Sequence, residues 1–182
     1  MSAHRSLVPT PGQTVGPFFG YALPYDGDSA LVPPAHRDAV RLHGRVLDGA
    51  GDPVPDALLE LSQAAPDGTF PSGAGSLRRD GYDFTGWGRA STDDTGHYSF
   101  STLVPGAPFF GITVFARGLL DRLFTRAYLP DRQDDPFLAT VAADRRATLL
   151  TTRDEHGLRF DIRLQGEGET VFLTYPRPGR QH

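Results

Sequence analysis

Apolar side chains along this chain recur mostly at every second position and in short runs, the pattern of strands and not of helices. Val40 to Leu47 makes the first such run, followed by the polar turn Asp48-Gly-Ala-Gly-Asp-Pro53. Val54 to Ser62, with Leu59 and Leu61 alternating, makes the second, so a β-hairpin with a longer loop is expected over 40–62. An Asp/Gly turn at Thr92 to Gly96 then feeds a strand carrying Tyr98 and Phe100, which ends at Pro105-Gly106. Phe110, Ile112 and Val114 alternate next, and Leu123 to Leu129 forms a further candidate strand.

A single short helix is expected over Pro136 to Ala143, where Asp135 caps the first turn and Pro136 suits its first position. Beyond it, Thr148 to Thr152, Leu158 to Leu164 and Val171 to Tyr175 read as a closing meander, turning at Asp154-Glu-His-Gly157 and Gly166-Glu-Gly168. Seven or more short strands at this spacing indicate a β-sandwich. Ahead of them, Leu7 to Pro34 is rich in Pro, Gly and aromatic rings but has neither period, and reads as an ordered arm laid over a surface. Ser62 to Ala90 is a long Gly/Asp/Ser-rich excursion carrying Phe70, Tyr82, Phe84 and Trp87, the kind of loop that lines sites or interfaces. The expected architecture is therefore all-β: one domain, a β-sandwich over 40–182 with an extended N-terminal arm over 1–39 and one short helix.

Composition narrows the chemistry. The 182 residues include 21 Gly, 16 Pro and 12 Phe, enough apolar volume for one core and too little for two domains. Net charge is -4 and the arginines are scattered, so no nucleic-acid or membrane-surface footprint is present. All 18 basic residues are Arg, and without Lys neither Schiff-base chemistry nor a Walker-type phosphate loop is available. Cysteine is also absent, which removes disulfides, thiol nucleophiles and thiolate metal sites, and fits a cytoplasmic protein. No secretory leader pattern opens the chain, and the apolar run 107–116 is too short to span a bilayer.

Candidate catalytic groups are scarce. The six histidines, His4, His36, His43, His97, His156 and His182, have no spacing that converges two of them on one strand or helix face. The pairs Asp93-Asp94 and Asp134-Asp135 fall at a turn and at a helix start, which already explains them. No nucleophile elbow, dinucleotide fingerprint or triad is present. What stands out is arginine beside aromatic strands, at Arg117 and above all Arg126 within Phe124-Thr-Arg-Ala-Tyr128. A guanidinium among rings suits a planar carboxylate held by two parallel hydrogen bonds, and an ordinary ion pair with Asp131 accounts for it equally well.

Six segments nevertheless line up, in order and over nearly the whole chain, with one family. They are Thr10 to Phe18 (TPGQTVGPF), Phe84 to Arg89 (FTGWGR), Thr92 to Tyr98 (TDDTGHY), Phe115 to Gly118 (FARG), Thr125 to Tyr128 (TRAY) and Arg159 to Phe172 (RFDIRLQGEGETVF). By these the chain resembles the intradiol ring-cleaving dioxygenases. It is most similar to the alpha-type subunit of those members that act on 3,4-dihydroxybenzoate as alpha/beta hetero-oligomers.

The resemblance implies a ferric iron, Fe(III), held in catalytic members by two tyrosines and a His-x-His pair. At the corresponding positions this chain has Phe70, Ala107, Phe109 and Gly111, none with a donor side chain. It thus implies no catalytic residue and no metal ligand here, with Fe(III) held by a beta-type partner subunit. Left to this chain is part of the substrate pocket, from Thr14, Gly16 and Pro17 of the arm and from Arg126. In the family's arm the next position is often Tyr; here it is Phe18, without the hydroxyl. The implied reaction is cleavage of 3,4-dihydroxybenzoate with O2 to 3-carboxy-cis,cis-muconate. A non-enzymatic β-sandwich binding module is the alternative, but it leaves the aromatic arm and the full-length match unexplained. A self-sufficient catechol dioxygenase is opposed by the ligand positions.

Overall fold

The computed structural model describes residues 13–16, 18–71, 80 and 83–175. Its elements are α1 (Phe19–Ala22), β1 (Val40–Leu47), β2 (Leu58–Ser62), β3 (Trp87–Ser91), β4 (His97–Thr102), β5 (Phe109–Phe115), β6 (Leu123–Tyr128), α2 (Pro136–Thr140), α3 (Ala143–Arg146), a 3-10 turn (Ala147–Leu149), β7 (Thr152–Asp154), β8 (Gly157–Arg159) and β9 (Ile162–Arg163). One sheet runs β4-β1-β8-β7 with β9 also paired to β1; the other runs β3-β2-β5-β6. The β-sandwich expected from the pattern is what forms.

Alternation sets which side chains face inward. On β5, Phe110, Ile112 and Val114 are buried while Phe109, Gly111, Thr113 and Phe115 point to the opposite face. The inward set meets Leu59 and Leu61 of β2, and across the gap Leu42 and Val46 of β1, with Tyr98, Phe100 and Phe160. Each fully buried side chain of this size stabilises by about 1.5–3 kcal/mol. Tyr98 keeps its polar end satisfied by donating to the Phe160 carbonyl at 2.6 Å.

Partner choice departs from the expected hairpin over 40–62, because β1 and β2 belong to different sheets. The chain does turn back at Asp48, whose carboxylate accepts from the Ala50 and Asp52 amides, and Val54 donates to the Val46 carbonyl. Pro53 and Pro55 then deny the ladder its donors, and the chain crosses to the second sheet, where β2 starts at Leu58 and not at Val54.

The closing meander is also corrected. Residues 158–164 divide into β8 and β9, both parallel to β1, and 171–175 contribute only an isolated bridge, Phe124 to Leu173. Gly44 permits the split, since a Cβ there would collide with the Phe160 carbonyl. The single helix over 136–143 stops instead at Thr140, where Val141 turns extended (φ -83, ψ 135), and 143–149 form a second helical turn and a 3-10 turn. Thr148 and Leu149, expected as strand, belong to this helical stretch while Leu150 is extended and bridges Tyr128, so among the described residues three short α-helices are present in place of one. The cap itself is as expected: the Asp135 side chain accepts from the Phe137 amide at 2.7 Å.

Along the N-terminal segment Phe19, Leu31 and Val32 are buried, and the Leu31 and Val32 amides both donate to the Ser101 carbonyl. Phe18 and Tyr21 instead stand 75% and 86% exposed.

Candidate functional site

The outer face of the second sheet, where β5 and β6 pair, carries the charged group that the sequence singles out. The antiparallel register sets Gly111 opposite Arg126 and Phe109 opposite Tyr128. Arg126 and Tyr128, two apart on β6, therefore share this face. The Arg126 guanidinium reaches diagonally over Phe109, its carbon 4.2 Å from the ring centroid. It also lies 4.9 Å from the Phe137 ring on the first turn of α2.

One nitrogen of that guanidinium is fully engaged. Arg126 Nη1 donates to Asp135 Oδ2 and to the Tyr128 hydroxyl, each at 3.1 Å, and the Tyr128 hydroxyl donates to the same Oδ2 at 2.9 Å. Burial pushes the Tyr128 hydroxyl up to about 12, against the pull of the Arg126 guanidinium, so it serves as a neutral donor to the carboxylate. The ion pair expected with Asp131 is not formed. Asp131 instead lies 3.8 Å from Arg153, because Asp135, fixed as helix cap, is the carboxylate that α2 delivers to Arg126. Arg117, the other noted arginine, pairs with Asp56.

The arm residues lie elsewhere on the chain. Thr14 Oγ1 accepts from the Gly118 amide at 3.0 Å, at the turn between β5 and β6, and Gly16 adopts φ +79 with open space around it. Pro17 lies outside the described residues, as do Thr10 to Gly12 and Tyr82. Arg126 pairs three residues into the ladder from Leu123, so Thr14 and Arg126 are separated by on the order of 10 Å of strand.

The positions that the resemblance assigns to metal ligands do not fit a metal. Ferric iron takes hard oxygen and nitrogen donors. Phe109 and Gly111 supply none, Ala107 precedes β5 without a donor, and Phe70 stands 72% exposed on the loop after β2. A guanidinium already occupies the face that Phe109 and Gly111 share. Among the described residues no three of His, Cys, Asp and Glu converge as a metal-binding group.

Sequence spacing missed one cluster. His43, His97 and His156, from β1, β4 and the β7–β8 turn, bring their rings together, with centroids 5.8 and 6.1 Å from that of His43. His43 Nε2 lies 3.1 Å from Asp154 Oδ1, which also accepts the His156 and Gly157 amides. These contacts arise from strand pairing, which no linear spacing reports. Equally hidden was the set around Arg126: Asp135 reads in sequence as a helix cap alone, and nothing in the sequence sets Phe137 beside Arg126.

A family described as Dioxygenase matches residues 15–132. The protocatechuate 3,4-dioxygenase alpha chain of Burkholderia cepacia is 40% identical over 92% of this chain and 98% of its own length. The protocatechuate 3,4-dioxygenase beta chain of the same organism is 34% identical over 70% of this chain and 64% of its own. Among solved structures, catechol 1,2-dioxygenase from Pseudomonas arvilla C-1 has the same fold, with TM-score 0.51 and 22% identity over 77% of this chain and 56% of that one.

Proposed function

Since this chain belongs to the dioxygenase family, among its intradiol ring-cleaving members, we propose that it is the alpha-type subunit of a protocatechuate 3,4-dioxygenase. The observation that carries the reading is full-length similarity to an alpha chain combined with ligand positions that hold no donor atoms. The partner is a beta-type subunit, and that subunit holds Fe(III). Together they open the ring of 3,4-dihydroxybenzoate with O2 to give 3-carboxy-cis,cis-muconate, in the cytoplasm.

In this reading the iron chemistry is the partner's, and this chain binds and orients. Residues 1–39 act as an arm on the sandwich of 40–182. Thr14, Gly16 and Pro17 reach from it to the substrate, the positive φ of Gly16 letting backbone approach closely. Arg126 takes the ring carboxylate, which fixes the carbons presented for reaction. Thr14 at the β5–β6 turn and Arg126 inside the β5–β6 ladder supply two separate contributions.

Co-expression with a beta-type partner tests the proposal. A stable complex should elute together, carry iron and turn over 3,4-dihydroxybenzoate, with neither property found in this chain purified alone. Recovery of an iron-loaded, active protein from this chain by itself would overturn it.

A further inference from the structure

We infer that Asp135, Tyr128, Phe109 and Phe137 form a cage that fixes Arg126 with only its Nε–Nη2 edge on offer, making the assembled enzyme selective for catechols whose carboxylate is bonded directly to the ring. The inference rests on the reading that Arg126 takes the substrate carboxylate, and adds which residues aim it and what that aim selects.

A guanidinium has five N–H donors and can grip a carboxylate along either of two edges, one using both terminal nitrogens and one using Nε and Nη2. Both edges are equivalent until something occupies one of them. Here Nη1 donates twice, to Asp135 Oδ2 and to the Tyr128 hydroxyl, and among the described residues it is the one nitrogen of Arg126 with a protein acceptor. The edge containing Nη1 is thereby closed, while the side chain keeps 25% exposure.

The anchor itself does not move with its load. Asp135 Oδ1 accepts the Phe137 amide at 2.7 Å, and Pro136 fixes the backbone between them. The plane is set by rings at 4.2 and 4.9 Å, so rotation of the guanidinium would forfeit two cation–π contacts. Phe109, standing where the resemblance puts a metal ligand, thus serves as a stacking platform.

The Arg126–Asp135 pair carries no net charge, which leaves directional hydrogen bonds to hold an incoming carboxylate. Such bonds demand alignment: two parallel N–H···O contacts of about 2.7–2.9 Å form only for a carboxylate in the plane of the fork. One inserted methylene moves the group by roughly 1.5 Å, beyond the few tenths of an ångström that a held site tolerates. A loosened guanidinium would follow the displaced carboxylate and lose that discrimination.

The test uses the complete hetero-oligomer and compares kcat/KM for 3,4-dihydroxybenzoate with that for 3,4-dihydroxyphenylacetate, which differs by the methylene. Asp135→Asn keeps a side chain able to cap α2 while removing the anchoring charge, and Phe137→Leu removes one ring. Each should lower the preference for the benzoate by about tenfold, the size expected for one misaligned charge-assisted bond. Tyr128→Phe, which deletes only a hydroxyl, should move it in the same direction and stands in should either of the others fail to assemble. Equal losses on both acids, with the ratio unchanged, would mean a merely structural role and overturn the inference. An unchanged ratio in these variants alongside a lowered one in Arg126→Ala would overturn the cage and leave the carboxylate contact standing. No change in Arg126→Ala would overturn both.

Discussion

Gly111 and Arg126 stand opposite each other on neighbouring strands, and the guanidinium of Arg126 lies 4.2 Å over the ring of Phe109, two residues before Gly111 on the same face of the sheet. A Cβ at Gly111 would come 3.1 Å from the Ser62 carbonyl, tight against the sheet on the side away from β6. The face on which Phe109 and Gly111 offer no donor atom is also the face that carries the Arg126 guanidinium.

The first prediction follows from that face. Purified alone, the chain should be colourless, contain no stoichiometric Fe(III) and cleave no catechol, because tyrosinate-to-iron charge transfer needs tyrosinate ligands. Metal analysis and the visible spectrum check it. A red, iron-bearing protein would overturn the alpha-subunit reading, since Phe70, Ala107, Phe109 and Gly111 offer no donor side chain.

Association should depend on rings that this chain leaves uncovered. Phe18 and Tyr21 are 75% and 86% exposed, a poor arrangement in water unless a partner covers them. Phe18→Ser with Tyr21→Ser should leave the stability of the isolated chain within about 0.5 kcal/mol, as for other surface changes. The same pair should weaken assembly with a beta-type subunit, read by sedimentation of the mixture at falling concentration. Unchanged assembly would show that the rings are not at the interface.

Acid should loosen the corner where three histidines meet. Burial, then the neighbouring Arg41, hold the His97 ring below its ordinary 6.5. In the window between that lowered value and 6.5 the unfolded chain binds more protons than the folded one, so stability rises with pH there. The contribution is complete above 6.5 and is lost as pH falls through the folded value. Asp93, lowered chiefly by its bond from the Thr95 hydroxyl, acts in a separate window below 3.8. Urea midpoints measured between about pH 7.5 and 5.5 should fall toward acid, and His97→Gln should flatten the fall. A flat native profile would remove this role from His97.

Which of these features the chain discloses before folding depends on whether they are local. Alternation at Phe110, Ile112 and Val114 is a property of consecutive residues, and β5 forms there as the period requires. The Asp135 cap involves neighbours two apart and is equally plain. Pairing is different: β1 and β2 adjoin in sequence, yet Pro53 and Pro55 send them to separate sheets, while β8 joins β1 across more than a hundred residues. The site divides the same way. Arg126 announces itself by its aromatic neighbours, but its carboxylate is Asp135 and not the nearer Asp131, because helix α2 and not chain distance decides which one arrives. The His43 cluster is built wholly from such long-range pairings and leaves no mark on linear spacing.

Arg126 itself yields the sharpest kinetic prediction. In the assembled enzyme Arg126→Ala should raise KM for 3,4-dihydroxybenzoate and change turnover of unsubstituted catechol much less. A guanidinium that grips the ring carboxylate makes the same contact in the ground and transition states, so its loss appears as uniform binding. A charge-assisted hydrogen bond contributes about 1.5–3 kcal/mol, which corresponds to roughly ten- to hundredfold weaker affinity. Catechol has no carboxylate to lose. Arg126→Lys should recover only part of the defect, because an ammonium keeps the charge but not the planar fork, and cannot both hold Asp135 and present a second pair of donors. If Arg126 serves only to tie β6 to α2 through Asp135, both substrates should suffer alike, with lowered thermal stability of the complex. The deciding quantity is the ratio of the two effects in preparations matched for iron content and oligomer size, and a ratio near one would remove Arg126 from the substrate.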